Sequence, residues 1–210
     1  MGSKAHPYHH GDLRSALIEA GMEIARKRGV GALGLREIAR AVDVTPNAAY
    51  RHFPDLHALI LTIALEAQHR LAQAIVQEAR TAQRENDPAE RSIAHVRAVG
   101  LAYLRFAITE PGWFELTCLS QEAPPGDGGA TVTDEDVPTP HALLLDALDD
   151  MVLARVLTPE RRKDAEWACW STMQGFAVLA TRGPLQGRSR RALYRLAAKA
   201  LNTTIAGLTT

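Results

Sequence analysis

The residues with the most specific chemistry lie in the segment L-R-E-I-A-R-A-V-D-V-T-P-N-A-A-Y-R-H-F, residues 35–53. Asn47 carries an amide that can pair with two edge atoms of adenine in the major groove, and Pro46 and Ala48 can contact a thymine methyl group. Thr45 precedes them and is typical of the residue that caps the start of a helix. This order of residues predicts a helix whose first turn reads the base edges of double-stranded DNA.

Other side chains near this segment can contact the DNA backbone. Tyr50 and His52 can donate hydrogen bonds to phosphate oxygens, which position a protein on a duplex without specifying its sequence. Arg36 can reach either a guanine or a phosphate. The ring of Tyr50 is amphipathic, so a place mainly in the core is the alternative for this residue.

Two short helices joined by a tight turn must hold these side chains, and a helix over residues 13–28 precedes them. That order is the helix-turn-helix arrangement. The pattern also fits a pair of short helices with no DNA role, so both interpretations stay open at this point. The side chains expected to form the interior and to anchor the second helix are Ile38, Ala39, Val42, Val44, Tyr50 and Phe53.

Composition excludes several classes of protein. Apolar residues make up 46% of the 210 residues, which predicts a globular core rather than disorder. The net charge is zero, but residues 1–60 hold 8 Lys and Arg against 6 Asp and Glu, and 5 of the 8 His. No P-loop, G-x-S-x-G or H-E-x-x-H motif occurs, so an enzyme is not expected. We expect no cofactor either.

Metal binding, secretion and membrane insertion are not expected. His6, His9 and His10 are possible metal ligands, but they lie in a proline-containing arm without a nearby Cys, so a metal site is not expected. The two cysteines, Cys118 and Cys169, cannot form a disulfide framework. Neither a signal-peptide type of apolar run nor a membrane span is present, which predicts a cytoplasmic protein.

The sequence predicts an all-α fold with two parts. The first, residues 1–55, is a three-helix helix-turn-helix DNA-binding domain with an N-terminal arm, and the second, residues 56–210, is a helical ligand-binding and dimerisation domain. Helix starts are marked by Asp12, Thr45, Asp87, Thr139 and Thr158, four of them followed by proline. Residues 56–83 form the linking helix, and residues 123–138 form a flexible loop. The other predicted helices cover residues 13–28, 35–42, 46–52, 88–109, 113–122, 140–156, 159–182 and 189–205.

The chain resembles the TetR family of bacterial transcriptional regulators over residues 8–67. The resemblance rests on G-D-L-R-S-A-L-I-E-A, on G-V-G-A-L-G-L-R-E-I-A-R-A-V-D-V and on T-P-N-A-A-Y-R-H-F-P-D. The arm at residues 8–11 and the later W-S-T-M-Q-G, residues 170–175, are similar to one subgroup with a Trp-x-x-x-His-Gly signature, with Gln174 in place of His. His57 stands near the position of a usual phosphate-binding Lys, and Gly34 replaces a usual capping hydroxyl, which implies weaker phosphate anchoring.

The resemblance implies a homodimer with two DNA-binding heads and a body that binds a small molecule. The aromatic residues of the second half are expected to surround one interior, and Gln174 places a polar group there. We expect a hydrophobic small-molecule effector, neutral or weakly polar; the alternative is a solid core without a pocket. The expected effector-binding residues are Tyr103, Phe106, Trp113, Phe114, Thr117, Leu148, Met151, Trp170 and Gln174.

The helix predicted over residues 159–182 has two apolar faces, so one of them needs a second burial partner. Together with the last helix it is expected to form a four-helix bundle across a two-fold axis. The expected dimer-interface residues are Ser171, Gly175, Val178, Leu193, Leu196, Ala197, Ala200 and Leu201. The functional expectation is a repressor that binds a palindromic operator and is released by the effector; the alternative is a helical partner-binding or scaffold dimer without specific DNA binding.

Overall fold

A computed structural model describes residues 13–121 and 138–209, without the side chains of residues 120 and 121. In these residues the chain forms ten α-helices, one short 3-10 turn at Val30–Ala32, and no strand, which confirms the all-α prediction. No helix of the described part is long and apolar enough to cross a membrane. The helices are α1 (Leu13–Arg28), α2 (Leu35–Ala41), α3 (Pro46–Tyr50), α4 (Leu56–Ala82), α5 (Pro88–Thr109), α6 (Pro111–Gln121), α7 (Pro140–Leu153), α8 (Pro159–Arg162), α9 (Ala165–Thr181) and α10 (Arg190–Thr209).

Helix starts follow from capping side chains. Thr45, Asp87, Thr139 and Thr158 each accept a hydrogen bond from a backbone N–H of the first helical turn, and each is followed by proline. Such a cap satisfies one of the N–H groups that a helix leaves without a partner. Asp55 caps α4 in the same way, accepting from the Ala58 N–H at 2.7 Å. The caps at Thr45, Asp87, Thr139 and Thr158 were predicted from the sequence, whereas the cap at Asp55 was not; the predicted cap at position 12 lies outside the described residues.

The region predicted as one helix over residues 159–182 is two helices, so this prediction was wrong. Asp164 has a left-handed backbone conformation, with φ of 60°, and it separates α8 from α9. Residues 159–164 read P-E-R-R-K-D and contain no aliphatic or aromatic side chain apart from the proline, so no apolar stripe holds a continuous helix against the core there. Aspartate tolerates the left-handed conformation better than most residues.

Two hydrophobic cores meet along α4. Leu59, Ile63 and Ala67 belong to the first core, which α1, α2 and α3 share. Leu71 and Ile75 belong to the second core, with α5, α7, α9 and α10. We call these two parts the head and the body. One apolar stripe of α4 continues through both cores, so the change from one core to the other falls inside this helix. The domain boundary predicted from the sequence lies at the start of α4.

Candidate nucleic-acid interface and effector site

The turn between α2 and α3 is tight. The Asp43 N–H donates to the Arg40 carbonyl oxygen at 3.2 Å, the Val44 N–H donates to the Ala39 carbonyl oxygen at 3.0 Å, and Asp43 has a left-handed φ of 56°. Ala39 is fully buried, so its small side chain permits the close approach of the two helices. The turn therefore fixes the angle between α2 and α3.

The first turn of α3 offers its side chains to the outside. Thr45 and Asn47 are exposed, and Pro46 and Ala48 are half-buried. Buried Ala49 and Phe53 hold α3 against the head. Tyr50 was also predicted to anchor this helix, but it is 52% exposed. Ala49 fills the buried face instead, which leaves the Tyr50 hydroxyl on the surface.

The candidate phosphate-contacting residues are exposed as well. Arg36, His52 and His57 all lie on the surface of the head. Glu37 pairs with Arg28 at 2.7 Å and with Arg40, and these guanidinium groups lower its pKa. Arg36 has no ion pair with a described residue, so its charge is available to a polyanion. Hydroxyl, imidazole and guanidinium donors of this kind suit phosphate oxygens.

A cluster of side chains joins α6 to the head. The Trp113 Nε1–H donates to the Met22 carbonyl oxygen at 2.9 Å. The guanidinium carbons of Arg26 and Arg70 lie 5.0 and 4.8 Å from the Trp113 ring centroid. Arg26 also makes two bonds to the Glu110 carboxylate, at 2.7 and 2.9 Å, and these bonds raise the pKa of Arg26. We call Trp113, Arg26, Arg70 and Glu110 the junction cluster.

The start of α6 presses directly on α1. A Cβ atom at Gly112 would lie 2.2 Å from the Ala25 carbonyl oxygen, so only glycine fits. The Phe114 N–H donates to the Glu110 carbonyl oxygen at 2.9 Å, so a backbone hydrogen bond joins the end of α5 to the start of α6. Trp113, predicted to bind effector, contacts the head and also packs against the body, with its ring 6.3 Å from the Phe106 ring.

A chain of polar groups runs through the body from α5 to α6. The Tyr103 hydroxyl donates to Gln174 Oε1, and Gln174 Nε2 donates to Cys118 Sγ at 3.6 Å. Thr117, another predicted effector residue, donates to the Phe114 carbonyl oxygen at 2.7 Å. Burial raises the pKa of Tyr103, which keeps its hydroxyl protonated as a donor. The Tyr103 ring also lies 5.5 Å from the Trp170 ring. Three predicted effector residues, Tyr103, Trp170 and Gln174, thus lie next to one another in the body.

Other predicted effector residues serve as core. Leu148 and Met151 are fully buried, and Phe114 is 3% exposed with its ring 5.6 Å from the Tyr103 ring. A cavity of about 160 Å³ includes Phe106 in its lining. Larger cavities of about 380 and 540 Å³ lie at the far end of α4 and between α1 and α2, away from the Tyr103 side chain.

His141 was not anticipated from the sequence. It lies in the first turn of α7, with its ring 5.9 Å from the Trp167 ring and 5.5 Å from the Trp170 ring. Its Nε2 atom is buried and, among the described residues, has no hydrogen-bond partner. The only available signal was a histidine at the start of the apolar run H-A-L-L-L, which does not reveal the two tryptophans of a later helix.

The described residues contain no group of three or more His, Cys, Asp or Glu side chains that could hold a metal ion. His6, His9 and His10, the candidate ligands of the arm, lie outside the described residues. So do all but the last residue of the segment 123–138, which was predicted to be a flexible loop.

The predicted dimer-interface residues divide into two groups. Ser171, Gly175 and Val178 are exposed on one face of α9, and Leu196 and Ala200 are half-buried on α10. Trp167, Ala168 and Leu179 extend that exposed face, and we call the six α9 residues the open face of α9.

The other three predicted interface residues lie inside the protomer. Leu193, Ala197 and Leu201 are at most 5% exposed and belong to the core of the body. Leu201 packs on Gly100 of α5, where an added Cβ would lie 2.5 Å from a Leu201 methyl group. The prediction for these three residues is corrected, because α10 turns its main apolar stripe toward α5 rather than toward a partner.

Comparison with known proteins agrees with this architecture. Residues 17–63 match the tetR family of bacterial regulatory proteins, and residues 96–202 match the tetracyclin repressor-like C-terminal domain. The chain belongs to the TetR family. As a member, it is a helix-turn-helix transcriptional regulator, and the family is one of DNA-binding regulators and not of enzymes.

Individual proteins are similar to the chain in sequence or in fold. The chain is similar to the HTH-type transcriptional regulator YobS of Bacillus subtilis, with 29% identity over 103 residues; it spans about half of that relative's length. A solved structure of a protein with unknown function from Rhodococcus sp. RHA1 has 27% identity and a TM-score of 0.75, covering 98% of this chain and 100% of that one. Mycobacterium smegmatis BioQ, at 24% identity, shares the fold with a TM-score of 0.56 over 96% of this chain and 98% of that one.

Proposed function

We propose that this TetR-family chain is a homodimeric repressor that binds a palindromic operator and is released from it by a small hydrophobic effector. The observation that carries the proposal is the exposed first turn of α3. Ala49 and Phe53 hold this helix from its buried side, while Asn47 is presented to the outside on a rigid support. A recognition helix that enters the major groove needs this combination of anchoring and exposure.

Each exposed residue of the head has a role in this proposal. Asn47 reads an adenine, while Thr45, Pro46 and Ala48 contact neighbouring base edges or the sugar-phosphate backbone. The donors that position the head on phosphates, without reading sequence, are Arg36, Tyr50, His52 and His57. His57 replaces the more usual lysine of the family, so we expect the salt dependence of binding to be shallower than a lysine at that position would give.

The open face of α9 from Ser171 to Leu179 supplies the dimer contact, and Trp167 lies outside that contact. In the described part of the chain, two of the five exposed large hydrophobic residues, Val178 and Leu179, lie on this stretch. Gly175 on the same face has nothing within 4 Å of an added Cβ, so a helix of a second copy can approach closely there. Together with Leu196 of α10, this face fits a four-helix bundle across a two-fold axis.

The effector controls DNA affinity by a shift in population. The dimer that binds DNA holds its two α3 helices ~34–36 Å apart, one turn of B-DNA. An effector that binds better to another arrangement of the body lowers the affinity for DNA. Two elements connect the parts: α4, Leu56–Ala82, which belongs to both cores, and α6, which the junction cluster fixes to the head. We treat residues 1–55 as the DNA-binding part and residues 56–210 as the part that binds effector and partner, and we place the chain in the subgroup with the Trp-x-x-x-His-Gly signature.

Selection from random double-stranded DNA tests the proposal. The full chain is incubated with duplexes that contain a random central region, and the bound pool is sequenced after several rounds. We expect an enriched motif with two inverted half-sites, and an affinity for it that falls steeply with salt. Enrichment of no motif would contradict the proposal and favour a helical dimer that binds a protein partner without reading DNA.

A further inference from the structure

We infer that the effector is an uncharged, planar molecule with one hydrogen-bonding group, which stacks on Trp167 and Trp170 and bonds to His141 Nε2. The inference rests on the proposed function, since it names the chemical class of the effector for that regulator. It also moves the polar contact of the site from Gln174, which the sequence had indicated, to His141.

The first supporting observation is the buried Nε2 atom. Buried polar atoms nearly always have a hydrogen-bond partner in folded proteins, and an exception indicates strain, a functional role or an ordered water. Among the described residues, the His141 Nε2 atom is such an exception, because it is buried and has no hydrogen-bond partner. By contrast, the Tyr103 hydroxyl and the Gln174 amide satisfy each other, and Gln174 also donates to Cys118. The polar group left for a guest is therefore the imidazole.

The second observation is the arrangement of flat rings around that atom. The His141 ring is tilted by 38° to the Trp167 ring and stands edge-on, at 74°, to the Trp170 ring. Trp167 is 56% exposed, and Trp170 and His141 are half-buried, so their rings can be reached from outside the core. Aromatic faces and edges of this kind favour a planar molecule over a flexible aliphatic one.

The third observation is that the described polar groups nearest these rings are either uncharged or already paired. The neighbouring side chains that hydrogen-bond to one another, Tyr103, Gln174 and Cys118, are uncharged. Glu166, one residue before Trp167, is paired with Arg162 at 2.8 Å. A charged molecule that enters a partly dry site without a counter-charge pays a large desolvation cost. An uncharged effector avoids this cost.

The site is also connected to the head. Trp170 and Gln174 lie on the same helix as Trp167, and Gln174 bonds to Cys118 of α6. The first turn of α6 carries Trp113 of the junction cluster. A displacement of α9 by the guest would therefore reach the head through one hydrogen-bonded chain and one helix.

Four related compounds test the chemical class. The probes are 2-naphthol, naphthalene, 2-naphthoate and decahydro-2-naphthol, and binding is measured by isothermal titration with the full chain. We expect 2-naphthol to bind at least about tenfold more tightly than naphthalene, which has no hydrogen-bonding group, and than decahydro-2-naphthol, which is not planar. The anion 2-naphthoate should bind most weakly. Tighter binding of 2-naphthoate or of the decahydro compound would overturn the inference.

A substitution at His141 tests the residue. His141→Phe keeps a flat ring and removes Nε2, so the affinity for 2-naphthol should fall about tenfold, to that of naphthalene, while naphthalene binding is unchanged. An unchanged affinity for 2-naphthol together with a raised melting temperature would show that Nε2 holds only a water, and the inference would be wrong. Trp167→Ala, at an exposed side chain, is the second variant if His141→Phe does not fold, and it should weaken 2-naphthol and naphthalene alike.

Binding to the selected duplex separates this inference from the proposed function. His141→Phe should bind DNA within about twofold of the wild type, because the site lies in the body, and should no longer be released by 2-naphthol. If the wild type enriches no DNA motif, the proposed function fails whatever the naphthol data show. If it binds DNA but 2-naphthol neither binds nor releases it, the function stands and the inference about the effector fails.

Discussion

In the proposed function, Asn47 and Tyr50 represent the two ways in which single residues of the head would contact DNA. Both are exposed, but only the Asn47 amide has the donor and acceptor that match the edge of adenine. The Tyr50 hydroxyl can donate to any phosphate, which every sequence offers. Base discrimination and general affinity therefore belong to different residues of one short helix.

Two substitutions separate these contributions. Asn47→Ala should reduce discrimination at one position of each half-site by ~1–3 kcal/mol. Tyr50→Phe should weaken binding to all duplexes by a similar factor and leave their order unchanged. Fluorescence anisotropy with single-base variants of the selected duplex measures both effects. A uniform loss for Asn47→Ala would show that it contacts the backbone and does not read a base.

The sequence was informative at this scale where a residue acts within its own helix. The caps at Thr45, Asp87 and Thr139 could be predicted because a cap and its partner lie two or three residues apart. The roles of Trp113 and His141 could not, because their partners lie on other helices. Periodicity shows which residues share a helix face but not which side chain of another element meets them.

Among the elements, α6 connects the body with the head. Its first turn is fixed to α1 through Gly112 and Trp113, and Cys118, further along α6, accepts a hydrogen bond from Gln174. A cation–π contact contributes about 0.5–1 kcal/mol at an exposed site. The two cation–π contacts of Trp113 and its hydrogen bond to Met22 each contribute a small free energy to holding α6 on the head. A change in the body can therefore overcome them.

A methyl group at position 112 tests this connection. Gly112→Ala should place its Cβ against the Ala25 carbonyl and separate α6 from α1, which lowers both the melting temperature and the affinity for the selected duplex. Gly207→Ala, in α10, is the matched control, since nothing lies within 4 Å of its Cβ. Melting curves and anisotropy measure the two variants in parallel. Equal DNA affinities for them would show that α6 does not position the head.

Trp113→Phe probes the same element more gently. The variant keeps a ring between Arg26 and Arg70 but loses the hydrogen bond to the Met22 carbonyl. The free energy of unfolding should fall by about 1 kcal/mol, the usual net value of one hydrogen bond, beyond the loss from the smaller ring. Effector-induced release should weaken by a larger factor than the affinity for DNA. Release as in the wild type would contradict a role for α6 in coupling.

Element boundaries show where sequence reasoning fails. The start of α6 at Pro111 could not be told from a break, because proline suits both a first helical turn and a helix end. The separation of α8 from α9 depends on one left-handed residue, Asp164, which composition does not mark. By contrast, α1 and α4 followed from long apolar stripes and were predicted almost to the residue.

For the whole molecule, we expect two copies to associate through the open face of α9 between Ser171 and Leu179. Val178→Asp should place an unpaired charge in the dimer contact and yield a monomer of 22.9 kDa in light scattering. Leu153→Asp is the control, because Leu153 is 81% exposed and lies on α7, outside this face. The control should keep the dimer mass. Equal masses for the two variants would show that copies associate through another surface, or not at all.

At this scale the sequence predicted the fold class and the family from motifs of the head. It did not predict which face of α10 turns inward, because Leu193, Ala197 and Leu201 are as compatible with a partner helix as with α5. Gly100 of α5 leaves the space that the Leu201 side chain occupies, and this contact turns the stripe of α10 toward α5. A contact between distant helices depends on the arrangement of both.

The central claim is that two identical heads read one duplex at a fixed spacing, and a spacing series tests it most directly. The affinity of the full chain is measured for the selected palindrome and for the same half-sites separated by about 5 additional base pairs, which turns them to opposite faces of the helix. The account predicts a loss of at least about 100-fold, toward non-specific binding. An affinity that does not change with the spacing would contradict it.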